Sequence, residues 1–210
     1  MQRLKIHFLI ISLFLILVSC ATNKVAKDLK PVVLERTVYN GSYFSNPEID
    51  YVYKTNITVY GNEFSGIFIV KKISDTTHRV VFTTEFGNNL FDFEISETNF
   101  KVNSIVENLN KKIVINTLKT DFRLLLRSQF LIKEQLEDDT NKVYKTNEGN
   151  RYNYVYVSKQ DGKLSKIVHA SKRKEKISIS FASENNIFAN SIIIHHENIN
   201  LTIQLNYLKQ

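Results

Sequence analysis

The chain has 210 residues, a formal net charge of +7, one cysteine and no tryptophan. This length suits one hydrophobic core better than two, and a single thiol excludes a disulfide framework within the chain. The charge comes without a nucleic-acid recognition motif, so nucleic acid is a poor candidate for a partner.

The chain begins with Arg3 and Lys5, followed by an apolar segment from residue 6 to residue 18. This segment is too short for a stable membrane span and polar residues follow it closely, which is typical of an export signal. We therefore predict that residues 1–19 are a signal peptide.

The only cysteine directly follows this apolar segment. The four residues at that point resemble the lipobox of bacterial lipoproteins and are Leu17, Val18, Ser19 and Cys20. In that family the thiol receives a diacylglyceryl group, the signal is cut before the cysteine, and the new amine is usually acylated. The resemblance implies that Cys20 is a lipid anchor, because two or three acyl chains hold a protein firmly at a membrane.

Residues 20–36 are polar and predict a tether between the lipid anchor and one folded domain, residues 37–210. Ala21 and the lack of an acidic cluster after the cysteine resemble lipoproteins that are neither retained at the inner membrane nor exported to the surface. We therefore expect a lipid-anchored envelope protein in the outer membrane that faces the periplasm.

After residue 50, apolar residues recur at every second position in runs separated by turns such as "GNE", "SDTT" and "QDG". This alternation predicts strands with two different faces, and short turns make neighbouring strands antiparallel. The predicted strands are residues 51–61, 63–73, 78–87, 90–95, 141–147, 151–158, 163–171, 175–183, 187–196 and 201–209.

The periodicity becomes helical between residues 103 and 130, where the apolar residues are Ile105, Leu109, Ile113, Leu118, Phe122, Leu125 and Leu126. Ser104 and Glu107 form a capping-box pattern at the start, and Thr120 with Asp121 suggests a second start. The segment therefore predicts two helices with an apolar side that a sheet must cover. A sheet of ten strands must also curl, since each strand is rotated by roughly 20° from the last.

The order of these elements resembles the LolA/LolB lipoprotein-carrier superfamily over residues 37–210. The resemblance rests on a strand group ending in "VVFTTEFGNNLFDFEI", an insert ending in "LKTDFRLLL" and a second group of hairpins. It implies a mainly β fold with a helical insert, in which a curled antiparallel sheet forms an unclosed half-barrel of about ten or eleven strands with two helices as a lid. In that superfamily the apolar hollow holds acyl chains.

No phosphate loop, serine elbow or zinc-ligand spacing occurs in the sequence, so we predict a protein that is not an enzyme and has no cofactor. His195 and His196 are adjacent on a predicted strand and point to opposite faces. This favours a surface pair at a strand end over a metal site with Glu197.

Two acidic groups could also carry chemistry. Asp92 and Glu94 share one strand face, as paired acid and base carboxylates would, but their alternation with apolar neighbours favours the solvated side of a half-buried strand. The acidic run at residues 137–139 could bind a cation, although a solvated connector is the simpler interpretation.

Two further groups leave alternatives open. The basic run "SKRKEK", residues 171–176, falls in a hairpin turn that could meet phosphate head groups or could simply discourage edge pairing. Tyr152, Tyr154 and Tyr156 share one strand face, where they could pack a core or line a hollow.

These patterns predict a non-catalytic lipoprotein that binds a lipid or lipoprotein acyl chain in an apolar cavity. Its partners would be the membrane, through the anchor, and the acyl chain. The alternative is a structural or accessory envelope lipoprotein with a filled core that docks a protein partner. Alternation and helix phase predict the cavity lining as Phe68, Val70, Phe82, Phe91, Phe93, Leu109, Ile113, Leu118 and Phe122.

Overall fold

A computed structural model describes residues 24–209 and shows one large antiparallel sheet of 14 strands. The strands β1 to β14 are, in chain order, Lys30–Val32, Val38–Asn40, Asp50–Val59, Asn62–Lys72, His78–Thr83, Asn89–Ile95, Phe100–Ile105, Gln129–Glu137, Asn141–Glu148, Arg151–Ser158, Leu164–Ala170, Glu175–Ala182, Ser191–His196 and Leu201–Tyr207. This part of the chain also has one α-helix, α1 (Lys112–Leu125), and two 3-10 helices, Lys24–Ala26 and Glu107–Leu109. The predicted signal peptide and lipobox lie outside the described residues.

The sheet is unclosed, with the strand order β1-β8-β9-β10-β11-β12-β13-β14-β3-β4-β5-β6-β7, and β2 also pairs with β8. Two series of hairpins, β3 to β7 and β8 to β14, join where β14 pairs with β3 and Leu201 lies opposite Val59. The prediction of a mainly β, antiparallel, unclosed fold is confirmed. The predicted number of ten or eleven strands is too low.

The predicted two-helix insert contains one α-helix with a strand on either side. Ser104 does not cap a helix, because it lies in β7 and its hydroxyl accepts a hydrogen bond from Asn89 at 3.0 Å. Thr120 lies inside α1 and donates a hydrogen bond to the carbonyl oxygen of Asn116 at 2.9 Å. Strand β7 was not predicted because most residues of this edge strand are exposed, so its sequence shows no clear alternation between an apolar and a polar face.

Residues 24–40 pack along one edge of the sheet. The strands β1 and β2 pair in succession with β8, and between them the Ile132 amide donates to the Thr37 carbonyl oxygen at 2.8 Å. Val25 is buried on the outer face of the sheet. Part of the predicted tether, residues 20–36, therefore contacts the sheet, while the domain boundaries themselves stay a prediction.

The two faces of the sheet carry different apolar clusters. On the inner face, side chains from strands far apart in the strand order, such as Ile95 of β6 and Phe130 of β8, belong to one core, so the sheet curls around it. A smaller outer cluster contains Tyr152, Tyr154 and Tyr156 together with Val25. The three tyrosines therefore pack against the start of the described chain and do not line a hollow.

The inner face has two distinct ends. The end with the β4–β5, β10–β11 and β12–β13 turns is called the plugged end, because a plug formed by residues 41–49 inserts there. Tyr43 and Phe44 of the plug are buried, and the Tyr43 hydroxyl donates to the Leu164 carbonyl oxygen at 3.3 Å. The opposite end, with the β3–β4, β5–β6, β9–β10, β11–β12 and β13–β14 turns, is called the open end.

Candidate ligand cavity

Helix α1 covers part of the inner face with its apolar side. Leu118, Phe122 and Leu125 follow one another at intervals of three or four residues, which places them on the same side of the helix, and all three are buried. The centroid of the Phe122 ring lies 5.2 Å from that of Phe68 and 5.8 Å from that of Phe91. These ring contacts fix α1 to strands β4 and β6.

A cavity of about 1260 Å³ lies between α1 and the open end of the sheet. This volume is above the usual range for small-molecule pockets, which is roughly 300–1,000 Å³. Its apolar walls come from the sheet, α1 and the turns beside them, and are formed by Ile57, Val59, Phe64, Phe82, Leu90, Phe91, Val106, Leu109, Ile113, Val114, Leu118, Leu124, Ile177, Ile199, Leu201 and Ile203. The filled core that a scaffold would have is therefore not found at this end.

The predicted lining residues divide into two groups. The five that border the cavity are Phe82, Phe91, Leu109, Ile113 and Leu118. The four that do not border it are buried in the core and are Phe68, Val70, Phe93 and Phe122. Alternation identifies the inner face but not the position along the strand where the core ends and the cavity begins. Contact of any of these residues with a ligand stays a prediction.

Sequence reasoning missed the part of the wall formed by β3 and β14. Ile57 and Val59 alternate visibly in "NITVYG", and Leu201 and Ile203 alternate in "LTIQL". The alternation places each pair on one face of its strand. However, the cavity wall forms because β14 pairs with β3, two strands that are far apart in sequence. No local pattern predicts that pairing.

Polar side chains occupy the inner face of β9, β10 and β11 at the open end. Asn153 is fully buried, and its amide nitrogen donates to a Glu148 carboxylate oxygen at 3.0 Å. Its amide oxygen lies 2.7 Å from Nδ1 of His169. The guanidinium of Arg127 donates two hydrogen bonds to Glu148 at 3.1 and 3.2 Å. The residues after α1 are thereby linked to three strands.

The pKa values of this polar group follow from burial and from the neighbouring charges. Burial alone would raise the pKa of Glu148, but hydrogen bonds from Asn153 and Arg127 outweigh it and lower that pKa. Burial lowers the pKa of His169, and the attraction of Glu148 only partly opposes that shift. Near neutral pH, Glu148 is therefore ionised and His169 is neutral.

A second buried polar contact joins α1 to the sheet. Nε2 of His196 on β13 lies 2.9 and 3.0 Å from the two carboxylate oxygens of Asp121 on α1. Burial raises the pKa of Asp121, against the opposing hydrogen bond and charge of His196. His195 and His196 do point to opposite faces, but the prediction of a surface pair is wrong for His196, which is buried. Within residues 24–209 no three acidic, histidine or cysteine side chains form a metal-binding group.

The other acidic candidates are structural. Asp92 is buried on the outer face and receives two hydrogen bonds from Arg79, at 2.6 and 3.0 Å, which lower the pKa of its carboxyl group. Glu94 is partly exposed beside Lys101. In the acidic run, a carboxylate oxygen of Asp138 accepts hydrogen bonds from the backbone amides of Thr140 and Asn141. This run therefore holds the β8–β9 turn.

The basic run lies at the open end, where residues 171–174 join β11 to β12. Lys176, at the end of the run, borders the cavity. The structure therefore brings this sequence motif close to the cavity, whereas the sequence could only place it in a hairpin turn. None of the helices in residues 24–209 has the length and apolar character needed to cross a bilayer.

No protein-family model and no curated protein matches the chain. Among solved structures, a LolA superfamily protein from Nitrosomonas europaea aligns with a TM-score of 0.53 and 12% identity, covering 79% of this chain and 87% of that chain. A DUF1329 family protein from Desulfovibrio piger aligns with a TM-score of 0.44 and 10% identity, over 76% of this chain and 84% of that chain. A Vibrio parahaemolyticus domain, provisionally described as an outer membrane lipoprotein-sorting protein, gives a TM-score of 0.44 and 8% identity, with 76% and 83% covered.

At these low sequence identities the similarity shows the fold alone, and this conclusion rests on the alignment with the Nitrosomonas europaea protein. The chain has a LolA-like fold, which agrees with the resemblance in the order of its elements.

Proposed function

We propose that the chain is a cell-envelope lipoprotein, anchored in the outer membrane through Cys20 and facing the periplasm, that binds a lipid or lipoprotein acyl chain without catalysing a reaction. The observation that carries this proposal is the apolar cavity of about 1260 Å³ beside α1. The LolA-like fold and the lipobox resemblance support it independently.

The chemistry of the walls suits an acyl chain. Most wall residues are aliphatic or aromatic side chains, which offer a flexible hydrocarbon no specific hydrogen bond but a large apolar surface. Each methylene group transferred from water into such a wall contributes about 0.8 kcal/mol. Part of this gain is offset by the loss of translational and conformational freedom on binding. A long chain is therefore held better than a short one.

Filling the cavity tests the binding function. Ile57 of β3 borders the cavity, so Ile57→Trp should occupy part of its volume. Ile193→Trp is the matched control, because Ile193 is 40% exposed and lies on the outer face of β13. Lipid extraction and mass spectrometry of the full protein purified from membranes should find acyl species with the wild type and the control. Ile57→Trp should retain about tenfold less, a loss of roughly 1.4 kcal/mol. A wild type without acyl species contradicts the proposal.

The anchor requires a separate test. The N-terminal peptide of the membrane-purified protein should begin at Cys20 and carry the mass of its acyl groups, and Cys20→Ser should lack them. An unmodified wild-type peptide would rule out lipidation but would leave the cavity function untouched.

The accessory-lipoprotein alternative makes an opposite prediction. Mild crosslinking in the native membrane, followed by analysis of both lipids and proteins, should recover a lipid on the cavity wall if the chain is a carrier. Recovery of a protein partner on the sheet with no lipid in the cavity would favour the alternative.

A further inference from the structure

The cavity has two chemically different regions. The side formed by β3 to β6 and the 3-10 helix is mostly apolar, with Lys112 at the start of α1, whereas the other charged side chains border the side formed by β9 to β12 and the end of α1. Within residues 24–209, five cationic side chains border the cavity, Lys112, Arg123, Arg127, Arg151 and Lys176, and one carboxylate does, that of Glu148. An apolar region beside a cationic region matches an amphiphile better than a plain hydrocarbon.

Among the described residues, the one carboxylate that borders the cavity, that of Glu148, already has a cationic partner. Arg127 makes an ion pair with Glu148 at 3.1 Å and a second one with Glu97 at 3.2 Å. Arg151 and Lys176 have no carboxylate within ion-pair distance in the described part of the chain. Their positive charge is therefore available to an anion that enters the cavity.

The hydrogen-bond network fixes the orientation of His169 beside these cations. The Asn153 amide nitrogen donates to Glu148 and to the Thr146 hydroxyl, at 3.0 and 3.4 Å. The Asn153 amide oxygen must then accept, so Nδ1 of His169 is the donor in their 2.7 Å contact. Nε2 of the neutral His169, which has no partner among residues 24–209, is therefore an acceptor and can receive a hydrogen bond from a hydroxyl group of a ligand head.

The strand register places these groups side by side. Arg151 begins β10, directly opposite Glu148 of β9. His169 of β11 lies opposite Asn153 on one side and Ile177 of β12 on the other. Lys176 precedes Ile177 and also borders the cavity. Three adjacent strands thus each contribute one nitrogen-bearing residue to the lining of the same part of the cavity.

We propose that the cavity binds an amphiphile with an anionic head group, a phosphate or a carboxylate, and that Arg151 and Lys176 hold this head beside His169 while the tail lies on the apolar walls. This inference rests on the proposed function, because it names the class of ligand for the same cavity. Guanidinium and ammonium groups donate charge-assisted hydrogen bonds to phosphate and carboxylate oxygens. The buried polar network fixes the orientation of His169 beside these cations and thereby adds specificity.

Ligand selectivity tests this inference on the full protein, stripped of lipid and reloaded in solution. The probes are phosphatidylglycerol and oleate with anionic heads, diacylglycerol without charge, and inorganic phosphate without a tail. Each competes with a fluorescent fatty acid. We expect the two anionic amphiphiles to bind about tenfold more tightly than diacylglycerol, and this preference should shrink as salt screens the charges.

Charge-removing variants assign the head-group site. Arg151→Gln combined with Lys176→Gln should abolish the preference for anionic heads and leave the affinity for diacylglycerol unchanged. Lys133→Gln is the matched control, because Lys133 is exposed on β8 and does not border the cavity. It should behave as the wild type does.

The outcomes distinguish a failure of the head-group site from a failure of the proposed acyl-chain binding. Equal affinity for all three amphiphiles would overturn the head-group site while the proposed function stands. Failure of every amphiphile to bind would overturn the proposed function itself. Binding of inorganic phosphate as tightly as phosphatidylglycerol would overturn the assignment of an amphiphile and indicate a site for a free anion.

Discussion

The plugged end of the sheet has a packed core and the open end has a cavity, although the same strands form both ends. At the plugged end, Phe44 is 1% exposed and the centroid of its ring lies 5.1 Å from that of Tyr51. At the open end, no segment of residues 24–209 inserts in this way, and a cavity remains. Alternation along the strands thus creates an apolar inner surface, whereas a separate inserted segment decides where that surface becomes a packed core.

The largest expected effect on stability comes from removing an aromatic ring at the plugged end, and removal of a ring at the open end is the comparison. Phe44→Ala should lower the free energy of unfolding by about 3–5 kcal/mol, because it leaves a cavity in the packed plug. Phe64→Ala, at the open end, should cost less than about 1 kcal/mol because Phe64 is 51% exposed. Urea denaturation followed by circular dichroism measures both. Equal losses would mean that the two ends are packed alike.

A glycine in β4 marks the transition between the two ends. A β-carbon added at Gly66 would collide with the carbonyl oxygen of Thr83 and would lie 2.8 Å from the ring of Phe82. Gly66→Ala should therefore cost about 1–3 kcal/mol of stability, as overpacking does. Ser65→Ala, on the opposite face of the same strand, is the control and should be nearly neutral. An unchanged melting temperature for Gly66→Ala would show that the strands can separate there at no cost.

Acid should weaken the plugged end. Burial lowers the pKa of His78, although the 2.8 Å hydrogen bond from its ring to the Phe44 carbonyl oxygen opposes the shift. A lowered histidine pKa means that stability is present above the ordinary value of 6.5 and is lost as the pH falls through the folded-state pKa. His78→Gln keeps a donor without a titrating group, so it should flatten this slope in urea titrations between neutral and mildly acidic pH. A wild-type slope that survives in His78→Gln would assign it to another group.

The smallest expected effect is a slope of the opposite sign beside the open end. The pKa of Asp121 is raised, so its ionisation disfavours the folded state, and stability is lost as the pH rises through the folded-state pKa. Its contact with His196 offsets part of the burial cost, which limits the slope. Asp121→Asn should remove this contribution, which in the wild type develops as the pH rises above the ordinary carboxyl pKa of 3.8. An unchanged dependence on pH in that variant would assign the slope to a group other than Asp121.

The sequence predicted the repetitive part of the fold well. Strands β9 to β14 follow strict alternation and end at turns rich in glycine, asparagine and aspartate, so both their type and their antiparallel order were accessible. The edge strands β1, β2 and β7 are short or exposed on both faces, so they lack the alternation that a half-buried strand shows. Strand β8 was obscured because its start lies in the region where the apolar spacing also fits a helix.

The plug and the polar network were beyond local patterns. Tyr43 and Phe44 are adjacent in "GSYFSNPE", a sequence typical of a surface loop. Phe44 adopts a positive φ of 61°, which is uncommon for phenylalanine and could not be predicted from its residue type. His169 and Asn153 lie on different strands, and nothing in the local sequence of either strand links them. Their contact depends on the register of β10 with β11, which only the three-dimensional structure supplies.

The chain that precedes the plug determines how the sheet ends at one border. Without β1 and β2, the nine-residue strand β8 would present a continuous row of unpaired amide and carbonyl groups, which is a template for self-association. The other border, β7, has six residues and carries Lys101 and Asn103, features that discourage the addition of a foreign strand. Removal of the residues up to residue 40 would therefore leave β8 as a long unpaired edge strand, and the protein would aggregate even with an intact interior.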